Sequence, residues 1–354
     1  MSSMDIKKLF KNATENSGNI SVWCSKNKKI LLPALIILLI VFPQLPISPY
    51  ILRIATLIML YSSLAVALNL ITGYTGQISL GHAMFFGIGA YTTALMVTKL
   101  GFNWFATIPF SILISAIVGL IVGLPSLRLS GSYLAIVTMG FAEVVKMIFN
   151  NWTPVTNGVL GVKNIPQPEI FGYILKTNNG GMYYLILAIM LLVSLFVYLL
   201  VNSKYGRAFR MIKEDSLAAT VLGVNTTYYK VLAFVISAML TSIVGSYYAS
   251  FQRFINANSF TFDTSILILS IVILGGMGTM RGMYLGAAVL IILPEALRSM
   301  EGLRFVIYGL CLVLVMRFRP QGLLGGEPKV PYAFPKGVDV EKKATPGVAT
   351  GQEV

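Results

Sequence analysis

The chain has 354 residues, 56% of them hydrophobic and only 11% charged. A soluble domain carries roughly 25% charged residues, and no soluble core of this length hides so much apolar surface, so composition points to a membrane. The net charge of +14 would suit nucleic acid, but the basic residues are scattered between apolar segments rather than gathered in one stripe, so no nucleic-acid partner is expected.

In chain order, residues 1–29 form a polar, basic segment without the short apolar core and small-residue site of a cleaved leader, and are expected to stay on the protein. A membrane span needs about 20 mostly apolar residues. Ten segments qualify: 30–48, 50–70, 77–98, 104–124, 132–150, 182–202, 228–250, 264–280, 283–298 and 303–318. The fold expected is an all-α polytopic membrane protein of about ten transmembrane helices, with one transmembrane domain over 30–318. Loop 151–181 is rich in Asn, Gly and Pro and reads as turns. Residues 319–354 carry Pro328, Pro331, Pro335 and Pro346 among mixed charges and read as a disordered tail. Lysine and arginine set the orientation. With the N-terminus inside, Lys7, Lys8, Lys11, Lys204, Arg207, Arg210, Lys213, Arg317 and Arg319 fall on one side and far fewer on the other, which puts both termini in the cytoplasm.

The stretch from Leu68 to Met96, which leads into and includes most of the third span, is interrupted by Gly73, Gly76, Gly81, Gly87 and Gly89 and by Thr72, Thr75, Gln77, Ser79 and His82, with Asn69 just before them. Lipid offers no partners to irregular backbone, so such a segment is buried in protein or lines a polar cavity, as the broken helices of transporters do. The eighth span is also glycine-rich. Five spans separate the two, so they cross in opposite senses, the pattern of an inverted repeat. Asn69, Gln77, Ser79 and His82 either line a permeation path or hydrogen-bond between packed helices. Glu143 lies mid-span, a functional signal by default; Lys146, one turn later, offers the alternative of a neutralising pair. Trp104, Trp152 and Tyr284, at span ends, read as interfacial anchors.

After the sixth span, Asp215 or Ser216 can cap a short helix, Leu217, Ala218, Val221 and Leu222 give it an apolar face, and Gly223 suits the position just past its end. Such a helix fits a groove on a partner or lies on the membrane surface. No GxxxxGK[ST] phosphate loop is present, His82 is the sole histidine, and Cys24 and Cys311 form no metal or redox spacing. No catalytic constellation, metal site or cofactor is expected, and ATP-driven work would need an ATPase on another chain.

Four blocks in order carry a family resemblance. They are Thr72–Tyr91 (TGYTGQISLGHAMFFGIGAY), Ser203–Ala233, Leu274–Glu295 (LGGMGTMRGMYLGAAVLIILPE) and Arg317–Leu323 (RFRPQGL). Together they resemble the LivM-type permease of branched-chain amino-acid ABC transporters. The resemblance implies an importer of branched-chain or other hydrophobic amino acids in a bacterial or archaeal inner membrane. It implies a second homologous permease, two cytoplasmic ATP-binding cassette subunits and an external solute-binding protein as partners. It also makes 203–227 the ATPase-coupling loop, with Arg207, Asp215, Leu217, Ala218, Val221, Leu222 and Gly223. The segment EDSLAATVLG lacks the Glu-Ala-Ala start of the general motif, which leaves its register open. The alternatives are a permease for urea or short amides, an ion-coupled secondary transporter relying on Glu143, and a membrane enzyme.

Overall fold

The computed structural model describes residues 39–44, 48–126, 131–170, 173–175, 180–296, 309, 313, 317 and 322–325. The expected spans 30–48 and 303–318, the N-terminal segment and the tail lie wholly or mostly outside these residues. The described helices are α1 (Pro49–Thr72), α2 (His82–Leu100), α3 (Trp104–Ser126), α4 (Ser132–Asn151), α5 (Thr153–Thr156), α6 (Gly181–Asn202), α7 (Lys204–Glu214), α8 (Ser216–Val221), α9 (Thr226–Gln252), α10 (Phe262–Gly275) and α11 (Met280–Ala296). Strands β1 (Glu169–Ile170) and β2 (Tyr173–Ile174) form one small antiparallel hairpin in the loop before α6.

Among the described residues, seven helical segments are long and apolar enough to cross a membrane: α1, α2, α3, α4, α6, α9 and the run Ala257–Gly275, which joins a short 3-10 turn to α10. The protein is therefore all-α and polytopic. α11, with 17 residues and Pro294 inside it, falls short of that length.

α1 opens with Pro49 at its first position, where the missing N–H costs nothing. Its sequence is apolar on all sides and its second half, Ser62–Thr72, is wholly buried, as an all-round hydrophobic helix in a bundle centre must be. α9 is the other central helix: it packs on α2 and α3 and also reaches α1, while α1 packs on α11 and α6. α3, α4 and α6 form the rim and expose large apolar side chains such as Leu113, Ile121, Ile136, Met147, Leu192 and Leu199. This is the inverse of a soluble surface and fits lipid or a second membrane chain.

α2 and α9 cross at backbone contact. A Cβ at Gly89 would collide with the backbone of Ser242, and one at Gly245 with the backbone of Phe86. Small residues permit this approach where hydrocarbon gives no hydrophobic drive. At the other edge the Tyr50 hydroxyl donates to Glu295, joining the start of α1 to the end of α11. At the end where α9 finishes, Val162 and Ile255 exchange both backbone hydrogen bonds, at 2.9 and 3.1 Å, tying loop 151–181 to the segment after α9.

Three expectations need correction. The third span does not begin at 77: residues 73–81 are irregular and the helix starts only at His82. The eighth does not run through 280: α10 stops at Gly275, and Gly276–Thr279 separates it from α11. Gly76 (φ 74°), Gly276 (φ 108°) and Gly278 (φ 86°) adopt backbone that terminates a right-handed helix. Trp104 is buried rather than interfacial, its Nε1–H donating to Ser246 O at 3.2 Å, because the start of α3 packs against α9.

Candidate functional site

The two glycine-rich breaks, more than 200 residues apart, meet. Asn69, fully buried on α1, accepts from Gly278 N at 2.8 Å through Oδ1 and donates to Thr279 O at 3.4 Å through Nδ2. One side chain thus binds both a backbone donor and a backbone acceptor of the α10–α11 break. Gly73, which ends α1, sits so close that a Cβ on it would strike Gly278 N and the Asn69 side chain. A third strand of chain closes the junction: Leu323 N donates to Leu274 O at 2.7 Å and Leu324 N to Gly275 O at 3.2 Å, satisfying carbonyls at the end of α10. Three of the four sequence blocks therefore converge here, and the loop that follows α6 joins them through Lys213, whose Nζ donates to Gly73 O at 2.8 Å.

Deeper in the bundle, His82 begins α2 and is fully buried. Its Nε2 lies 2.8 Å from Ser237 Oγ on α9, and its Nδ1 lies 3.2 Å from Ser79 Oγ. Ser237 spends its own proton on Ala67 O of α1, at 2.6 Å. Its oxygen must then accept, which assigns the proton of the imidazole to Nε2 and leaves Nδ1 to accept from Ser79. His82 thus joins α1, α2 and α9 as a neutral ring with both nitrogens satisfied, edge-on to Phe85 and Phe234. Neighbouring backbone is held the same way: Leu80 N donates to Thr138 Oγ1 on α4 at 3.1 Å, and Ala83 N to Ser265 Oγ on α10 at 3.0 Å. Ser237, Thr138 and Ser265 escaped sequence reasoning. Their only signal is a hydroxyl inside an apolar span, and nothing in the chain says which distant backbone group it will meet.

Gln77 is the exception in the polar set. It is half-buried and accepts only a 3.3 Å contact from Thr75 Oγ1, beside the exposed Gly76 and Ile78. Glu143 is also half-exposed and pairs with Lys146 at 3.5 Å on α4, the neutralising arrangement weighed from the sequence. The structure therefore brings Ser79 and His82 together, holds Asn69 at the junction of the breaks, and pairs the side chains of Gln77 and Glu143 with Thr75 and Lys146 instead.

The loop after α6 folds into two helices. α7 buries Gly206, Ala208, Phe209 and Ile212 and exposes Arg207. Asp215 is the cap between α7 and α8. Its N–H donates to Met211 O, and its carboxylate accepts from Leu217 N at 2.7 Å and Ala218 N at 3.1 Å. Gly223, at φ 83°, follows the end of α8 in left-handed backbone. On α8 only Ala219 is buried; Leu217, Val221 and Leu222 are 76%, 81% and 72% exposed, and Ala218 is exposed with them. Close by, burial pushes the Tyr74 phenol above its ordinary pKa, with the charge of Arg210 pulling the other way.

The profile of the family described as "Branched-chain amino acid transport system / permease component" matches residues 50–316, most of the chain. The chain belongs to this family. Among similar proteins, the high-affinity branched-chain amino acid transport system permease protein LivM of Escherichia coli is 36% identical over 319 residues, covering 84% of this chain and 75% of that protein. LivM of Salmonella typhimurium matches to the same extent. The permease protein LivH of Escherichia coli is 26% identical over 285 residues, 75% of this chain and 91% of that one. No solved structure matches. As a family member, the chain is a relative of transport permeases with several membrane-crossing helices, and its junction and loop are read in that setting.

Proposed function

We propose that this chain is the permease subunit of an ABC importer that carries branched-chain amino acids inward across a bacterial or archaeal inner membrane, powered by separate ATPase subunits. The observation that carries the reading is α8: a capped helix at one end of a membrane bundle whose apolar side chains Leu217, Val221 and Leu222 are left exposed by the described residues. Burying such side chains is worth roughly 1.5–3 kcal/mol each, so a partner groove there has a large driving force. In this reading α7 and α8 lie in the cytoplasm with both termini, Arg207 lies on the rim of the ATPase contact, and an external solute-binding protein delivers substrate at the opposite end. Similarity to both LivM and LivH supports a second, homologous permease as partner. Asn69, Ser79 and His82 hold the broken segment in shape beside the path, whereas Gln77 and Glu143, which keep exposed surface, border it.

The test is the assembled complex. Leu222→Asp places a charge in the proposed contact and should abolish both co-purification of the ATPases and ATP-dependent leucine uptake while leaving the chain in the membrane. Normal co-purification and uptake would remove α8 from the contact. Urea uptake that persists where leucine uptake is absent would assign the complex to short amides instead.

A further inference from the structure

We infer that Lys213 is the residue through which movement of the α7–α8 loop enters the bundle, and that it enters at both helix breaks together. The inference rests on α8 being the ATPase contact, and concerns how force leaves that contact.

Lys213 occupies the last turn of α7, two residues before the Asp215 cap. Asp215 fixes α7 to α8 through its own N–H and through its carboxylate, so the two short helices form one jointed unit. The Lys213 stem lies against Gly76, where an added Cβ would be 3.4 Å from Cγ. Its ammonium donates to Gly73 O at the end of α1, and a Cβ at Gly278 would lie 3.6 Å from Nζ. Gly278 is in turn bound through its N–H to Asn69. One side chain therefore binds the end of α1 through its amine and lies along Gly76 in the irregular segment before α2, while Gly73, the residue it binds, packs directly against Gly278 of the α10–α11 break.

The chemistry suits transmission. The carbonyls ending α1 carry the negative end of the helix dipole, and a cation there makes a directional, charge-assisted bond. Among the described residues the one ion pair is Glu143–Lys146, so no carboxylate there forms a salt bridge with this amine. Gly73 is the last rung of the α1 ladder, held by its N–H to Asn69 O at 2.8 Å, and its carbonyl is taken by Lys213 in place of a helical N–H, so a displacement of α7 acts on this helix end before it moves whole helices. Lys213 is thus a positioning residue for the path, acting through Gly73 and Gly278.

The experiment uses the complete complex in membrane vesicles, with Lys213→Met and Lys213→Arg compared for ATPase co-purification, ATP hydrolysis and leucine uptake. A charge-assisted bond lost at the point of transmission should lower uptake by Lys213→Met about tenfold or more, with co-purification unchanged and ATP hydrolysis within about twofold. Lys213→Arg, which keeps a cationic donor, should retain at least about half of the uptake. Uptake by Lys213→Met close to that of the parent would overturn the inference. So would loss of ATPase co-purification or of the chain from the membrane, which would make Lys213 part of the docking surface or of the fold. A fall as deep in Lys213→Arg as in Lys213→Met would also overturn it, since the cationic donor would then not be what matters.

Discussion

His82 shows how much a single polar side chain organises in this bundle, and how little of that its position in the sequence reveals. The sequence offers two readings, path or glue, and the geometry fills both ring nitrogens with hydroxyls from Ser79 and Ser237. Ser237→Ala should therefore be costly. It leaves the Nε2–H of a buried imidazole without an acceptor and frees Ala67 O, a loss of roughly 1–3 kcal/mol for the unsatisfied donor. Thr98→Ala is the control, because the Thr98 hydroxyl only returns to Ala94 O within its own helix. Thermal unfolding in detergent should show a clear drop in midpoint for Ser237→Ala and little change for Thr98→Ala. Equal midpoints would mean that the His82 network holds nothing together. The polar identity of Asn69, Ser79 and His82 was legible because lipid makes such residues conspicuous. The partners of Asn69 and His82 across the bundle were not, since Gly278 and Ser237 lie far away along the chain and are chosen by helix packing.

At the scale of elements, apolar runs located seven crossing helices to within a few residues at most ends, because span length is set by the bilayer. The breaks were placed less well. A hydropathy window reads Ile78 and Leu80 as part of the third span, whereas α1 has ended at Thr72 and α2 begins only at His82, with Gly76 at positive φ between them. The short α8 was legible for the opposite reason: its cap, face and terminal glycine are all local signals. That locality makes it testable. Asp215→Ala removes the acceptor of two backbone N–H groups, at a cost of about 1 kcal/mol, which is large for a six-residue helix. Gly223→Val forces a β-branched side chain into left-handed backbone. Hydrogen exchange over Ser216–Val221 should speed up in both variants, and ATPase co-purification should weaken severalfold. Asp215→Asn, which still caps, should behave close to the parent. Unchanged exchange in Asp215→Ala would mean that the cap does not hold α8.

Across the whole molecule, the architecture has two unlike ends. At one, the loop 151–181 and the segment after α9 are stitched by the Val162–Ile255 pair, and Lys163 and Arg253 stand exposed beside it. At the other, α7, α8, both helix breaks and Leu323 are knitted into one junction. Energy is proposed to enter at the second end and substrate at the first, an assignment that depends on orientation. The bias of lysine and arginine toward the α7–α8 side argues that this side is cytoplasmic. A direct check starts from a chain with Cys24 and Cys311 replaced by serine, carrying either Leu217→Cys or Lys163→Cys. Both positions are exposed, and α6 separates them across the bundle. In intact cells whose outer barrier has been removed, a membrane-impermeant maleimide should label Lys163→Cys and leave Leu217→Cys unreacted. After lysis it should label both, except that Leu217→Cys should stay protected wherever the ATPases remain bound. Labelling of Leu217→Cys from outside would invert the molecule, expose α8 to the wrong compartment, and leave the proposed ATPase contact without access to ATP.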